Sequence, residues 1–136
     1  MRRPADDRLR FGPKVRLAVR VWRCYARVRV GLNRSPLPVL VRALGRTAGH
    51  ADAHPPALLS LAVYRSLRLG SRRPRCLTSA LVLYRLLREQ GDQAAVVIGL
   101  PPEARDQAAH AWVELDGRDI GPPPGRGQHA AIARFP

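Results

Sequence analysis

The sequence predicts a single α+β domain in which a basic helical first half precedes a Cys-bearing helix that packs on a small antiparallel sheet. Two observations predict this class. Helical spacing of apolar residues dominates the chain up to residue 89, and short β-type runs joined by a hairpin signal follow it. Hydrophobic types make up 46% of the 136 residues, and one domain of this length buries roughly two-thirds of its unfolded surface. A core without metal or disulfide support is therefore expected.

The basic helical region, residues 1–70, is predicted to contain three helices. Residues 1–11 are charged and contain a proline, as in a frayed arm. Residues 15–30 alternate apolar types with Arg in a pattern that fits a helix in parts and a strand in others. Their length without turn residues favours one long helix. Two prolines then introduce a short helix that ends near Gly45, and residues 57–68 form a third helix.

The remaining residues, 71–136, form the predicted core. Residues 76–89 have the clearest helical pattern in the chain, because four apolar residues recur on one face of the helix: Cys76, Ala80, Leu83 and Leu87. Gly91 follows at a position where a helix C-terminal cap favours glycine.

A small sheet is predicted after this helix. Residues 96–100 are a β-branched run and residues 109–115 form a second strand. The dipeptide Asp116-Gly117 is the strongest signal for a two-residue hairpin turn, and residues 118–121 return from it. The proline-rich residues 122–125 break the sheet.

The charge of the chain is strongly positive and uneven. Lys and Arg number 24 against 10 Asp and Glu, and residues 1–46 hold 13 of the basic and 2 of the acidic residues. Such a basic half favours an anionic partner, which is nucleic acid, lipid headgroups or an acidic peptide or protein. Four arginines would form one stripe on the long helix: Arg16, Arg20, Arg23 and Arg27. A solvated helix face in an arginine-biased proteome is the alternative.

Cysteine usage and apolar patterning predict a reduced, cytoplasmic protein. No apolar stretch approaches the ~20 residues of a membrane span, and the Arg2-Arg3 pair does not precede an apolar signal segment. Two cysteines do not imply a disulfide framework. Cys24, among apolar neighbours, is interpreted as a core thiol.

We predict no metal site and no cofactor. His50 and His54 flank Asp52 with a spacing that suits a metal in a helix. Glycine and proline around them predict a loop over residues 47–56 instead. The glycines near residue 125 lack the pattern of a phosphate-binding loop.

A cysteine at a helix start and a histidine on a following strand are the candidate chemical groups. The partial positive charge of a helix N-terminus stabilises the thiolate of Cys76, and the arginines just before it add to that field. His110, on a strand packed against this helix, would supply the base that a thiol nucleophile needs. Lone buried Cys and His residues without a catalytic role are also common.

Three segments in this order resemble a known family: the helix from Cys76, the strand ending Val-Val-Ile-Gly-Leu, and the strand His110-Ala-Trp-Val-Glu with Gly117 after it. They resemble the transglutaminase-like cysteine peptidase core and, more closely, the leader peptidase of lasso-peptide biosynthesis, over residues 72–121. The resemblance implies that Cys76 is the nucleophile and His110 the general acid–base. It also implies a precursor peptide as substrate, with a separate leader-recognition protein and an ATP-dependent macrolactam cyclase as partners.

The third catalytic residue is where the sequence departs from the family pattern. The resemblance implies an acid about a dozen positions beyond His110, and Pro122 stands there. Asp119 is the nearest acid on that strand and is our candidate. A two-residue turn pairs Glu114 with Asp119 and puts Pro123 opposite His110, so that Asp119 would lie ~13 Å from His110. Another register, another orienting group, or a Cys–His pair working alone each remain open.

Two further side chains share the predicted face of His110, because side chains alternate along a strand. Trp112 is interpreted as core or pocket wall rather than a stacking platform for substrate. Glu114 would either hydrogen-bond substrate or lie at a solvated strand end.

Two other function classes stay open at this point. A transglutaminase-like acyltransferase would use the same Cys and His but pass the acyl group to an amine. A non-catalytic, Arg-rich binding protein for nucleic acid is disfavoured, because residues 1–46 hold few aromatic residues for base stacking.

Overall fold

The computed structural model describes residues 11–47, 53–70, 76–100, 110–121 and 130–136. In these ranges four helices precede four strands, and the α+β class is confirmed. The elements are α1 (Phe11–Arg34), α2 (Leu37–Gly45), α3 (Pro56–Gly70), α4 (Cys76–Glu89), β1 (Ala94–Leu100), β2 (His110–Leu115), β3 (Arg118–Gly121) and β4 (Ala130–Phe135). The predicted arm, apart from Phe11, and the proline-rich segment at residues 122–125 lie outside the described residues.

Helix α4 is the centre of the domain. Nine of its 14 residues are buried, and it contacts α1, α2, α3, β1 and β2. A helix with apolar side chains nearly all round its axis can bury them only when other elements surround it. The sequence therefore places the Cys-bearing helix inside the domain and leaves its first residue, Cys76, partly exposed at the end.

Helix α1 confirms the single long helix predicted for residues 15–30 and extends it at both ends. Its buried face consists of Leu17, Val21, Cys24 and Val28, at helical spacing. The Cys24 thiol donates a hydrogen bond to the carbonyl of Val82 on α4, with sulfur and oxygen 3.8 Å apart. This contact ties the middle of α1 to the middle of α4.

Arginines of α4 hold the end of α2. The last carbonyls of a helix have no intrahelical donor. Arg85 donates to the carbonyls of Leu44 and Arg46, at 2.9 and 3.0 Å, and Arg88 donates to that of Gly45 at 3.3 Å. The end of α2 is thereby capped from another helix.

The predicted cap of α4 is confirmed and leads the chain directly into the sheet. Gly91 has φ +92°, which favours glycine. Its N–H donates to the carbonyl of Arg88, and the N–H of Asp92 donates to that of Leu87. This pair of bonds is a Schellman motif. It reverses the chain so that only four residues separate the end of α4 from the start of β1.

The sheet has the strand order β3-β2-β1-β4 and is antiparallel throughout. Asp116 and Gly117 both have positive φ, 52° and 76°, as a type I′ hairpin turn requires. Strand β4 was not predicted, because three of its six residues are alanine, which is depleted in strands. It pairs with β1 and completes the sheet. Among the described residues, no helix is both long and apolar enough to cross a membrane.

Candidate active site

Cys76 is the first residue of α4 and packs at the edge of the core. It is partly exposed, whereas most of the helix behind it is buried. It forms no disulfide. A thiol in this position combines access for a substrate with the positive field of a helix N-terminus.

The short connection from α4 to β1 brings the start of α4 back to one end of the sheet. The helix rises about 20 Å from Cys76 to its last residue, and the seven residues of β1 also span about 20 Å. Since these two elements pack on each other, the end of β1 returns to the level of Cys76. His110 pairs with Gly99, one residue before β1 ends. Cys76 and His110 therefore lie at the same end of the domain.

His110 is the first residue of β2 and is partly exposed. Ala111 and Val113 alternate along the strand with His110 and Trp112, and they pack in the core around α4. The His110 imidazole instead stacks on the indole of Trp112, with ring centroids 5.8 Å apart and planes 25° apart. Both rings therefore belong to the other face of the sheet, which we call the outer face. The predicted common face of His110 and Trp112 is confirmed. Helix α4 packs on the opposite face, where Ala111 and Val113 lie, so the structure brings Cys76 and His110 to one end of the sheet but does not place the imidazole on the face that α4 covers.

The outer face contains a hydrogen-bonded network that extends from the Trp112 indole. The indole N–H donates to one carboxylate oxygen of Glu114 at 2.9 Å. The other carboxylate oxygen forms an ion pair with Arg134 on β4 at 3.0 Å. Trp112 is only 2% exposed, so its buried N–H needs this acceptor. Of the two alternatives for Glu114, the structure contradicts the solvated strand end, because both carboxylate oxygens have partners and the side chain is 13% exposed.

Alternation along β2 predicts the common face of this network, although not its hydrogen bonds. It places residues 110, 112 and 114 on one face. Arg134 was missed because its strand was missed.

Asp119 lies away from His110 along the sheet. Glu114 pairs with Asp119, as the two-residue turn predicts, so Asp119 lies four residues along β2 from the level of His110, about 13 Å at 3.3 Å per residue. The Asp119 carboxylate accepts the N–H of Gly121 at 2.8 Å. This local bond lies where the chain turns at Gly121, whose φ is +77°. The role of Asp119 as a catalytic residue stays a prediction.

The sequence predicts an uninterrupted ladder between β2 and β3, and the structure contradicts this at one position. Val113 pairs with Gly121, so Ile120 is an extra residue on β3 and forms a bulge. The carbonyl of Ile120 accepts a hydrogen bond from the Ser60 hydroxyl of α3 at 2.6 Å. The expected positions of Pro122 and Pro123 lie outside the described residues.

Cys24 is confirmed as a core thiol. It is 7% exposed. Burial, with a smaller contribution from the charge of Glu89, raises the pKa of Cys24 to about 12, although three nearby arginines oppose the shift. A thiol in this state is protonated at neutral pH and is therefore a poor nucleophile.

The histidine-containing loop is described only in part. His50 and Asp52 lie outside the described residues. The backbone of His54 is held by the side-chain amide of Gln90, which donates to its carbonyl at 2.8 Å and accepts its N–H at 3.1 Å. Among the described residues, no group of three or more potential ligands could hold a metal ion.

Comparison with known proteins identifies a family for this chain. Neither the curated proteins nor the solved structures include a match to this chain. The family model of the transglutaminase-like superfamily matches residues 15–133, which takes in all four helices and the whole sheet apart from their outermost residues. Members of this superfamily are generally cysteine peptidases or acyltransferases. Because the match covers most of the 136 residues, the chain belongs to the transglutaminase-like superfamily.

Proposed function

We propose that this protein is a cysteine peptidase that removes the leader from a ribosomally synthesised precursor peptide in the cytoplasm, as in lasso-peptide maturation. The observation that supports this most is the common end at which α4 begins with Cys76 and β2 begins with His110. Membership of the superfamily supports cysteine chemistry in general. The resemblance of the segments around these two residues to lasso leader peptidases supports the finer assignment.

In the first half of the reaction, a His110 ring nitrogen takes the proton of the Cys76 thiol and the sulfur attacks the scissile carbonyl carbon. The carbonyl oxygen becomes an oxyanion. The first N–H groups of α4 have no intrahelical acceptor and would donate to it. When the tetrahedral intermediate collapses, the carbon–nitrogen bond breaks and the His110 imidazolium gives its proton to the leaving amine. The core peptide leaves with a free amino terminus.

In the second half, the leader remains bound to Cys76 as a thioester. His110 takes a proton from water, whose oxygen attacks the thioester carbonyl. The carbon–sulfur bond breaks, the thiol regains a proton from the imidazolium, and the leader leaves as a carboxylic acid. If an amine replaced water in this step, the enzyme would be the acyltransferase that the sequence also allows. In the proposed setting, a separate recognition protein delivers the precursor and an ATP-dependent cyclase consumes the core peptide.

The experiment uses precursor peptides encoded beside the gene for this protein, together with the protein products of neighbouring genes. We expect cleavage by the wild type and none by folded Cys76→Ala or His110→Ala variants. Cys24→Ser is the matched control, because a serine hydroxyl also donates to the Val82 carbonyl and the residue lies in the core. It should retain most of the activity.

Mass spectrometry would distinguish the outcomes. A thioester adduct on Cys76 that disappears in water supports the peptidase. A labelled amine incorporated into the leader fragment supports the acyltransferase instead. Full cleavage by a folded Cys76→Ala protein would exclude the thiol mechanism.

A further inference from the structure

The face of α1 that points away from the core carries an exposed row of apolar residues. Its members are spaced four, three, four and four residues apart, and we call them the apolar ridge: Val15, Val19, Trp22, Ala26 and Val30. Val15, Val19 and Val30 are 46 to 50% exposed and Trp22 is 37% exposed. At 3.6 residues per turn, this row lies on the opposite side of α1 from the buried Val21 and Val28. Helix α1 thus has two apolar faces, and only one of them is buried in the part of the chain that the structure describes.

The spacing of the apolar ridge is that of a helix–helix seam. A stripe repeating every three and four residues is narrow and fits the matching stripe of one partner helix. Trp22 provides an anchor within it, because its ring packs edge-on against Tyr25, with centroids 5.4 Å apart and planes at 76°. Interface hot spots are enriched in such held aromatic side chains.

A positively charged cleft runs beside the apolar ridge, between α1 and α4. It encloses about 390 Å³ and is lined by Arg20, Arg23, Cys24, Arg27, Arg85 and Glu89. We call this the arginine cleft. Its single carboxylate, Glu89, is already paired with Arg20 at 2.9 Å and Arg85 at 2.8 Å.

Two arginines of this cleft are available to an anion. Among the residues that the structure describes, Arg23 and Arg27 make no hydrogen bond or ion pair, and both are exposed. Guanidinium groups bind carboxylates in bidentate fashion. Arg16 extends the same flank of α1 by one further turn.

We propose that the apolar ridge and the arginine cleft together dock an amphipathic helix of a separate partner protein, with apolar residues on its seam and carboxylates on its flank. Charge decides against a second copy of this chain, because pairing two α1 helices would bring arginines against arginines. The narrow ridge of valines, one alanine and one tryptophan also differs from the broad face of bulky residues on membrane-surface helices. This surface is independent of the chemistry proposed for Cys76.

The test uses a labelled synthetic helix of three heptads with leucine on the seam and glutamate on both flanks. A matched peptide carries lysine in place of glutamate. Fluorescence polarisation should show saturable binding of the acidic peptide to the wild-type protein and none of the lysine peptide. Salt should weaken this binding, because screening acts within about 8 Å at physiological ionic strength.

Three variants separate the contributions of the surface. Val19→Gln with Ala26→Gln interrupts the ridge without a change of charge, and Arg23→Gln with Arg27→Gln removes the two unpaired charges. Each should weaken binding at least tenfold, and the arginine variant should also flatten the salt dependence. Arg42→Gln with Arg65→Gln removes two exposed charges from other helices and should change the affinity less than twofold. Far-UV circular dichroism confirms that each variant is folded.

The opposite outcomes overturn the proposal. These are absence of saturable binding by the acidic peptide, equal binding of the lysine peptide, or equal weakening by the control variant. Ridge-dependent binding to phosphatidylglycerol vesicles without peptide binding would assign the face to a lipid surface. Ridge-dependent self-association in sedimentation equilibrium would assign it to a second copy.

Discussion

The imidazole of His110 lies against the indole of Trp112, with planes only 25° apart. Trp112 in turn is held by Glu114, and Glu114 by Arg134. The ring of a general base must keep one orientation to accept and return a proton at the right atom. In the proposed mechanism, these three residues are positioning residues for His110.

Replacement of Trp112 tests the stacking contact. Trp112→Leu removes the ring that His110 stacks on, and we expect kcat for precursor cleavage to fall at least tenfold while KM changes little. Trp112→Phe keeps an aromatic face and should recover most of that loss. The measurement is steady-state cleavage by folded variants. Equal loss in the two variants, or a loss confined to KM, would show that Trp112 serves packing or substrate binding instead.

Glu114 tests the hydrogen bond behind the stack. Glu114→Gln retains an oxygen that can accept the Trp112 N–H and should stay within about threefold of the wild-type kcat. Glu114→Ala leaves that buried N–H without its acceptor, which costs about 1–3 kcal/mol, and should lower kcat further. Arg134 is half exposed in this pair, with 57% of its side chain accessible, so Arg134→Gln is expected to have the smallest effect. The reverse order of effects would contradict this network.

The helical part of the fold could be predicted because its signals are local. Spacing over a few turns defines α1 and α4, prolines mark the start of α2, and Gly91 marks the end of α4. The hairpin from β2 to β3 could be predicted for the same reason, because its signal is the dipeptide Asp116-Gly117. Strand β4 could not be predicted, since its alanines carry little β preference and its partner, β1, lies 30 residues earlier in the chain.

The candidate site divides in the same way. The elements that carry Cys76 and His110 and the common face of His110 and Trp112 follow from short-range patterns. The hydrogen bonds and ion pairs around the site join residues that are far apart in the sequence, and short-range patterns do not predict them. Glu114 meets Arg134 across β1, and Arg20 meets Glu89, 69 residues away. Arg20 was therefore predicted only as part of a docking stripe, whereas it also ties α1 to α4.

Asp119 tests the register of the hairpin. Since it pairs with Glu114 and lies about 13 Å from the level of His110 along the sheet, Asp119→Asn should lower kcat less than tenfold. The asparagine oxygen can still accept the N–H of Gly121, so the bulge should persist. A loss of several orders of magnitude, typical of an imidazole left in the wrong tautomer, would mean that Asp119 orients His110.

Cys24 should make stability depend on alkaline pH. Its pKa is about 12 in the folded state and 9.0 as a reference for the unfolded chain. The unfolded state thus loses this proton first, so the stabilisation is complete below pH 9 and declines as the pH rises towards 12. Between pH 8 and about pH 10.5, the wild type should lose roughly 2 kcal/mol more than Cys24→Ala in urea unfolding. Tyr84, whose pKa burial also raises, is present in both proteins and cancels.

Alkylation provides an independent measurement of the same difference. Iodoacetamide at neutral pH should modify the partly exposed Cys76 in the folded protein and both cysteines after unfolding. Rapid native modification of Cys24, or identical pH curves for wild type and Cys24→Ala, would contradict its assignment to a protonated core thiol.

Gly45→Ala should destabilise the protein because Gly45 lies close to Tyr84, although replacing a helical glycine with alanine is usually favourable. Alanine in place of a helical glycine normally stabilises by roughly 0.5–1 kcal/mol. A Cβ on Gly45, however, would lie 2.5 Å from the hydroxyl oxygen of Tyr84. That side chain is 1% exposed and donates to the carbonyl of Pro136 at 3.2 Å, so it has little room to move. We expect Gly45→Ala to cost about 1–3 kcal/mol.

Two comparisons assign this cost to the hydroxyl. Gly12→Ala, at a helical position where the new Cβ would meet no atom within 4 Å apart from its chain neighbours and the backbone of its own helix, should be neutral or slightly stabilising. Tyr84→Phe removes the clashing oxygen, so Gly45→Ala should cost less in the Tyr84→Phe background than in the wild type. Urea unfolding of the four proteins of this double-mutant cycle measures the coupling between the two residues. Additive effects would mean that the end of α2 shifts away from α4 and that the Tyr84 contact does not set the cost.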